Sequence, residues 1–268
     1  MTALRPPLTS AIDQTEGSAA GSVQAVRRAL SILRAFKIGD RALSLGEIAG
    51  RTRLDKGTTR RLLMTLIGEH LIDQNTETRN YSLGLGVLEL VAGLGPRKDI
   101  GQRAQPILSE IAKETGATAF LGMLHDDAAL CLARVDGDQA ITVRFWSVGG
   151  KMPLHCGAGP RVLLAHLPQA ELSRQLAAPL AALTPFSPCD PIALAKMLAR
   201  IRKRGWEVAA DDIVEGIASL GLPVHDRSGA VTAAVSISGL TTQILDRNRP
   251  RHLAILQRKV RDLENALG

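Results

Sequence analysis

Apolar positions near the start of the chain fall into three short helical patterns followed by two extended ones. Over residues 23–37, Val23, Val26, Leu30 and Leu33 recur every three or four positions and predict a helix with one apolar stripe. Leu45, Ile48, Ala49 and Thr52 share one face of the next pattern, with Ser44 standing where its cap belongs. Arg53-Leu54 makes a tight joint. Asp55 then supplies an N-cap for a further helix whose buried stripe is Leu62, Leu63, Leu66 and Ile67. Residues 71–73 and 81–83 read as hairpin strands around a polar turn, residues 74–80. Three helices closing a small core, with a hairpin as the wing, predict a winged helix-turn-helix over residues 22–83.

The pattern loosens over residues 84–95, GLGVLELVAGLG, where Leu85, Leu88 and Ala92 line one side of a short helix weakened by glycine. Gly95-Pro96-Arg97-Lys98 marks a break, and residues 84–100 read as a linker helix. A helix follows at residues 101–115, with Ile107, Leu108 and Ile111 apolar and Gly116 as its stop. Residues 117–125 and 128–136 predict a hairpin turning at Asp126-Asp127. Residues 141–146 alternate as a strand, with Ile141, Val143 and Phe145 on one face and Thr142, Arg144 and Trp146 on the other. Residues 153–165 run from a glycine-rich turn into a helix, with Pro160 in its first turn. Helices at 169–178 and 191–204 flank a Pro-rich loop. Strands return at 206–209, 217–226 and 230–238, and the chain ends in a helix at 248–267 carrying Leu253, Leu256, Val260, Leu263 and Leu267. Antiparallel strands flanked by helices predict an α+β chain whose second domain, residues 101–268, resembles a GAF-like α/β effector-binding fold.

Composition narrows the picture. The 268 residues suffice for two domains, and with aromatics at only 3% the cores must rest on Leu, Val, Ile and Ala. Residues 1–21 are rich in Pro, Ser, Thr, Ala and Gly and lack an apolar h-region, which predicts a disordered arm rather than a secretory signal. No apolar run approaches the ~18 residues of a membrane span, so no membrane partner and a cytoplasmic location are expected. Cys131, Cys156 and Cys189 are odd in number and far apart, which argues against a disulfide scaffold or a zinc site; no metal or cofactor is expected. Over residues 22–81, 11 Lys/Arg stand against 6 Asp/Glu, so this segment carries +5 of the chain's +7. A positive lobe is the electrostatic footprint of a phosphate partner.

The chemistry of the second helix of that lobe agrees. Lys56, Thr58, Thr59, Arg60, Arg61 and Thr65 lie away from its apolar stripe and combine short hydroxyl donors with long cations. That mixture reads base edges while pinning phosphates, so double-stranded DNA is the expected partner. Ser44 caps the preceding helix and is a phosphate contact through that helix's N-terminus. Arg79 and Asn80 in the wing are candidates for backbone or minor-groove contact. The alternative for the whole face is a solvated basic helix, and for Arg61 a pairing with Glu47 that only orients the helix.

Several segments, in order, resemble the IclR family of bacterial transcription regulators. Arg61-Leu62-Leu63 with Thr65-Leu66 resembles its recognition-helix run, and Tyr81-Ser82-Leu83-Gly84 the end of its wing. Pro153-Leu154-His155 with Ala158 and Leu163-Leu164-Ala165 resembles the entry into its effector domain. Gly205-Trp206, Gly216, Pro223-Val224 and Ser236-Ile237-Ser238-Gly239 resemble that domain's C-terminal half. The resemblance implies a homodimer or dimer of dimers on a palindromic promoter, with binding altered by a small organic acid. Asp55 and Gly57, Pro160 and Arg161, Asp211-Asp212 and Ala209 depart from the family pattern and leave the identity of that acid open.

For the acid, Ser236 and Ser238 share one face of a strand, and Ser219 lies on the neighbouring one. The turn Cys156-Gly157-Ala158-Gly159 precedes a helix, so its backbone N–H groups offer an anion seat. Ile217 with Met152 or Leu121 would supply apolar walls, and Arg144 or Trp146 a charge or a ring. The competing reading for each serine is a local backbone bond or solvent exposure. An enzyme is the remaining alternative, resting on His155-Cys156 or on Asp211-Asp212 as a metal pair. Sequence neighbours do not face each other, and no further ligand spacing supports the aspartates, so no catalytic residues are expected.

Overall fold

The computed structural model describes residues 23–93, 96–138, 143, 145–247 and 249–267, with side chains in the segment 96–115 described from Ile100 onward. The predicted arm, residues 1–21, and Ile141, Thr142 and Arg144 lie outside the described residues. The chain divides into two compact units between Val91 and Ala92.

The first unit runs α1 (Gln24–Ala35), α2 (Leu45–Thr52), α3 (Lys56–Gly68), β1 (Ile72–Gln74), β2 (Tyr81–Leu83) and α4 (Gly86–Ala92). Ile32, Leu43, Ile48, Leu63, Leu66, Ile72 and Tyr81 form its core. Ser44 opens α2 with a reciprocal capping box, its oxygen accepting from the Glu47 N–H while the Glu47 carboxylate accepts from the Ser44 N–H. Arg53 closes α2 in the left-handed region (φ 55), which turns the chain sharply into α3. Leu43 exchanges two backbone hydrogen bonds with Tyr81 (2.8 and 2.7 Å), adding a third short edge to the β1–β2 hairpin.

Of the stripe expected on α1, Leu33 packs on the core and the other three positions are corrected. Val23, Val26 and Leu30 are 63, 55 and 45% exposed, whereas Ile32 and Ala35 are buried against the core. Two apolar stripes run along α1, and the one carrying Ala29, Ile32 and Phe36 packs on this core. Sequence spacing alone does not choose between them.

The second unit runs α5 (Pro96–Thr115), β3 (Thr118–His125), β4 (Ala128–Val135), β5 (Lys151–Pro153), α6 (Ala158–Ala165), α7 (Gln169–Ala177), α8 (Pro191–Arg204), β6 (Glu207–Ala210), β7 (Ile217–His225) and β8 (Val231–Leu240). A short α9 (Thr241–Ile244), the two-residue strands β9 (Leu245–Asp246) and β10 (Arg249–Pro250), and α10 (Leu253–Leu267) complete it. Six strands form one antiparallel sheet in the order β5-β4-β3-β8-β7-β6. One face buries Ala119, Leu121, Leu220, Val235 and Ile237 with Leu108 and Ile111 of α5 and Leu256 and Leu263 of α10. The other buries Phe120 and Ala234 with Val162 and Leu164 of α6 and Leu194 and Leu198 of α8.

Three expected elements differ. The helix placed at 101–115 begins at Pro96, because proline is well suited to a first helical turn and need not break one. The final helix starts at Leu253 rather than 248, since Arg249 and Pro250 pair with Leu245 and Asp246. Phe145 and Trp146 do not alternate as in a strand: both stack on Phe120, with ring centroids 6.1 and 5.7 Å away. The strand that pairs with β4 is instead Lys151–Pro153.

Candidate nucleic-acid interface and effector site

The sequence of α3 separates what holds the helix from what it offers. The Asp55 carboxylate accepts from the Thr58 N–H (2.8 Å) and caps the N-terminus. Hydrogen bonds from Thr58 hold that carboxyl below its ordinary value, and those from Ser44 do the same for Glu47. Leu63 and Leu66 are buried, while Lys56, Arg60, Arg61 and Thr65 are exposed along the opposite side. Among the described residues, neither Lys56 nor Arg60 has an ion-pair partner, so both cations are available.

Thr59 is the correction on this helix. It is fully buried, and its hydroxyl donates to the Asp55 carbonyl (2.8 Å). It therefore contributes to the cap and presents nothing to a base. Thr58 is half-buried; its hydroxyl accepts from the Arg61 guanidinium at 3.4 Å. Arg61 thus leans on Thr58 and not on Glu47, whose carboxylate is engaged by Ser44. In the wing, the Asn75 carboxamide oxygen accepts from the Glu77 and Thr78 N–H groups, and Arg79 takes a left-handed conformation (φ 59) with its side chain exposed. Asn80 is half-buried at the foot of β2.

In the second unit, register builds a hydroxyl-bearing patch. Ser238 on β8 sits directly across from Ser219 on β7 and from Thr118 on β3, and Ser236 lies two residues along opposite Phe120 and Gly221. Opposed residues of antiparallel strands share a face, so all four hydroxyls line the side covered by α6. All four residues are buried. Ser219 accepts from the Ala158 N–H (3.0 Å), while Thr118, Ser236 and Ser238 have no hydroxyl partner among the described residues. Thr118 was missed in the sequence; only the pairing of β3 with β8 brings it into the row.

The N-terminus of α6 lies close over this patch. A Cβ on Gly221 would meet the Ala158 carbonyl carbon and the Gly159 nitrogen, both at 2.8 Å, and one on Gly159 would meet the Ser236 oxygen at 2.9 Å. The anion seat expected at Gly157 and Ala158 is not bare, however. The Gly157 N–H donates to the Asp212 carboxylate (2.8 Å) and the Ala158 N–H to Ser219. Asp212 is therefore not half of a metal pair: it fills the helix N-terminus and pairs with the Arg161 guanidinium (2.6 Å). Arg161 also pairs with Glu207 (3.0 Å) and donates to the Val208 carbonyl (3.2 Å), with all three charged side chains buried. Asp211 accepts from the Gly216 N–H (2.6 Å).

Of the expected walls, Ile217 has the strand parity of Ser219, and Met152 belongs to the core on the α6 side. Leu121 is corrected, since it packs on the α5 side. Trp146 is buried on the α6 side, its indole N–H bonded to the Gly150 carbonyl (3.0 Å) and its ring over Gly122. Cys156 is buried beside Asp212, and burial first, then that carboxylate, pushes its thiol up to about 12. His155 spends a ring nitrogen on the Ala181 carbonyl (2.9 Å).

A family model described as the IclR helix-turn-helix domain matches residues 25–76. A second, the bacterial transcriptional regulator IclR C-terminal, matches residues 95–265. The chain belongs to the IclR family. It is 31% identical over 247 residues to the HTH-type transcriptional regulator XynR of Escherichia coli (strain K12), covering 92% of this chain and 98% of that relative. The crystal structure of an IclR transcriptional regulator from Alicyclobacillus acidocaldarius superposes with a TM-score of 0.81 at 27% identity, over 92% of this chain and 100% of that one. An IclR homologue from Microbacterium hydrocarbonoxydans, complexed with 4-hydroxybenzoate, shares the fold with a TM-score of 0.81 at 22% identity, over 91% and 98% of the two chains. This IclR-family chain is thus a transcriptional regulator, not an enzyme, and its helix-turn-helix implies DNA binding. Among its described residues no helix is long and apolar enough to cross a membrane.

Proposed function

We propose that this regulator grips a palindromic promoter operator through α3 and the wing, and that a small organic acid in the second unit sets how firmly. The observation that carries the ligand reading is the hydroxyl row on the sheet: Thr118, Ser236 and Ser238 have no hydroxyl partner among the described residues, and their oxygens stay reachable rather than fully buried, so a ligand can meet them. A carboxylate accepts from several hydroxyls at once. Ala209, directly across from Ser219, adds a methyl and no negative charge to the same face. Ile217, Met152 and Trp146 supply apolar surface for an aromatic body. The Microbacterium homologue holds 4-hydroxybenzoate in the same fold, which is consistent with a ligand of that class.

On DNA, Lys56, Arg60, Arg61 and Thr65 of α3 are the proposed contacts, with Thr58 holding Arg61, Ser44 at the start of α2 as a phosphate contact, and Arg79 and Asn80 from the wing. A second copy of the chain would double the grip on a palindrome. The exposed Val23, Val26 and Leu30 of α1 and Leu85 and Leu88 of α4 support such a homodimer, or a dimer of dimers, since burying them removes apolar surface from water.

The test is a thermal-shift series on the full chain with aromatic and short-chain carboxylic acids. The wild type should rise in Tm with at least one acid. The Ser236→Ala, Ser238→Ala double variant should lose that rise while keeping its affinity for operator without acid. A double variant that responds like the wild type would place the ligand elsewhere.

A further inference from the structure

Between α1 and α3 lies a groove of about 280 Å³ lined by Gln24, Ala25, Arg28, Thr58, Arg61 and Leu62. Its composition is ordered. Ala25, Leu62 and the aliphatic stems make an apolar floor, and Arg28 and Arg61 bring two guanidinium groups to it from different helices. Arg61 is steadied by Thr58, and the Arg28 guanidinium has no partner among the described residues. Two cations without a carboxylate partner, over a small apolar floor, match one repeating chemical unit: a deoxyribose-phosphate, whose sugar is weakly polar and whose phosphodiester carries a full negative charge.

Position supports the match. Thr58, Arg61 and Leu62 fall on the flank of α3 that turns toward α1, across the helix from Lys56 and Arg60. A helix seated in a major groove about 12 Å wide has a phosphate backbone running along each flank. On this flank the neighbouring wall is α1. We propose that the α1–α3 groove is a backbone seat, in which Arg28, with Arg61, clamps one phosphate of the operator and fixes the angle at which α3 enters. This rests on the reading of α3 as the DNA-reading helix, and assigns α1 a direct contact that neither its spacing nor its charge had indicated.

A phosphate clamp predicts loss without change of sequence preference. The experiment follows fluorescence anisotropy of the full chain on the fragment upstream of its own gene and on a shuffled duplex of equal length, over a salt series. Arg28→Gln, which keeps an aliphatic stem, should flatten the salt slope on both duplexes by about 0.9 for each protomer bound, an about eightfold loss per protomer at 0.1 M salt relative to 1 M. Arg28→Lys should restore the slope, and Arg34→Gln, an equal charge change elsewhere on α1, should leave it alone. Arg28→Met, judged beside Arg28→Gln, checks that the effect follows charge and not folding. Wild-type slope and affinity in both neutral variants would overturn the proposal, as would loss confined to the upstream fragment or an equal loss in Arg34→Gln. A wild-type chain that bound neither duplex would overturn instead the reading of α3 on which the clamp rests.

Discussion

Arg161 pairs with two buried carboxylates, Glu207 and Asp212, and its removal has a definite consequence. Arg161→Met would leave Asp212 buried without its counter-ion and Glu207 with Arg204 alone, and breaking such a buried pair costs about 3–5 kcal/mol. Urea titration should find that loss, together with a weaker acid response, because Asp212 also anchors the Gly157 N–H. Thiol chemistry gives a second residue-level outcome. Burial pushes Cys131 and Cys156 up to about 12, while Cys189 is half-buried. The native chain should therefore titrate one thiol with Ellman's reagent near pH 8 and three in guanidinium; three in the native state would contradict the burial. On DNA, Arg60→Ala should weaken operator binding by about 1–3 kcal/mol if it reads a guanine. Unchanged affinity in a gel-shift titration would remove it from the interface.

At the scale of elements, helix caps and close helix–sheet packing decide the outcome. The carboxyls of Glu47 and Asp55 are both lowered from ordinary values of 4.5 and 3.8 by the hydrogen bonds that cap α2 and α3. Their contribution is fully present above those ordinary values and is lost as pH falls through the lowered ones. The first unit should accordingly lose thermal stability on acidification below about pH 4.5, and Ser44→Ala should flatten that acid limb. Gly221 is the second element-scale test. A methyl there meets backbone, which cannot swing aside, so Gly221→Ala should push α6 off the sheet at about 1–3 kcal/mol and blunt the acid response. These packing demands explain what the sequence hid. Helix spacing located α2, α3 and α8 well, because each has a clear cap, and Pro160 in a first turn marked α6, which is buried all round. It misjudged α1, where two stripes compete, and the segment around Phe145 and Trp146, where two adjacent rings serve one stacking partner. Leu43 joined the wing without any local signal, since its pairing with Tyr81 is long-range.

For the whole molecule, the two-part plan was legible because periodicity and charge both change along the chain. The first 60 described residues hold most of the excess positive charge, and the strands gather after them. The proposed ligand site was legible only in part. Alternation placed Ser236 and Ser238 on one face with Ser219 on the neighbouring strand, and register set Ser219 across from Ser238 and added Thr118. What stayed hidden was the internal carboxylate: an aspartate that fills the helix N-terminus looks, in sequence, like any surface acid. That substitution matters for the account, since it moves the proposed ligand contacts from backbone N–H groups to hydroxyls. A ligand that binds two arrangements of the chain differently shifts their populations and so changes DNA affinity. The most direct test measures both halves together, as anisotropy of the full chain on its upstream fragment and on shuffled duplex, with and without the acid that raises Tm. The account predicts a preference for the upstream fragment that the acid alters in the wild type and leaves unaltered in the Ser236→Ala, Ser238→Ala variant. No preference at low salt, or an acid effect of equal size in that variant, would contradict it.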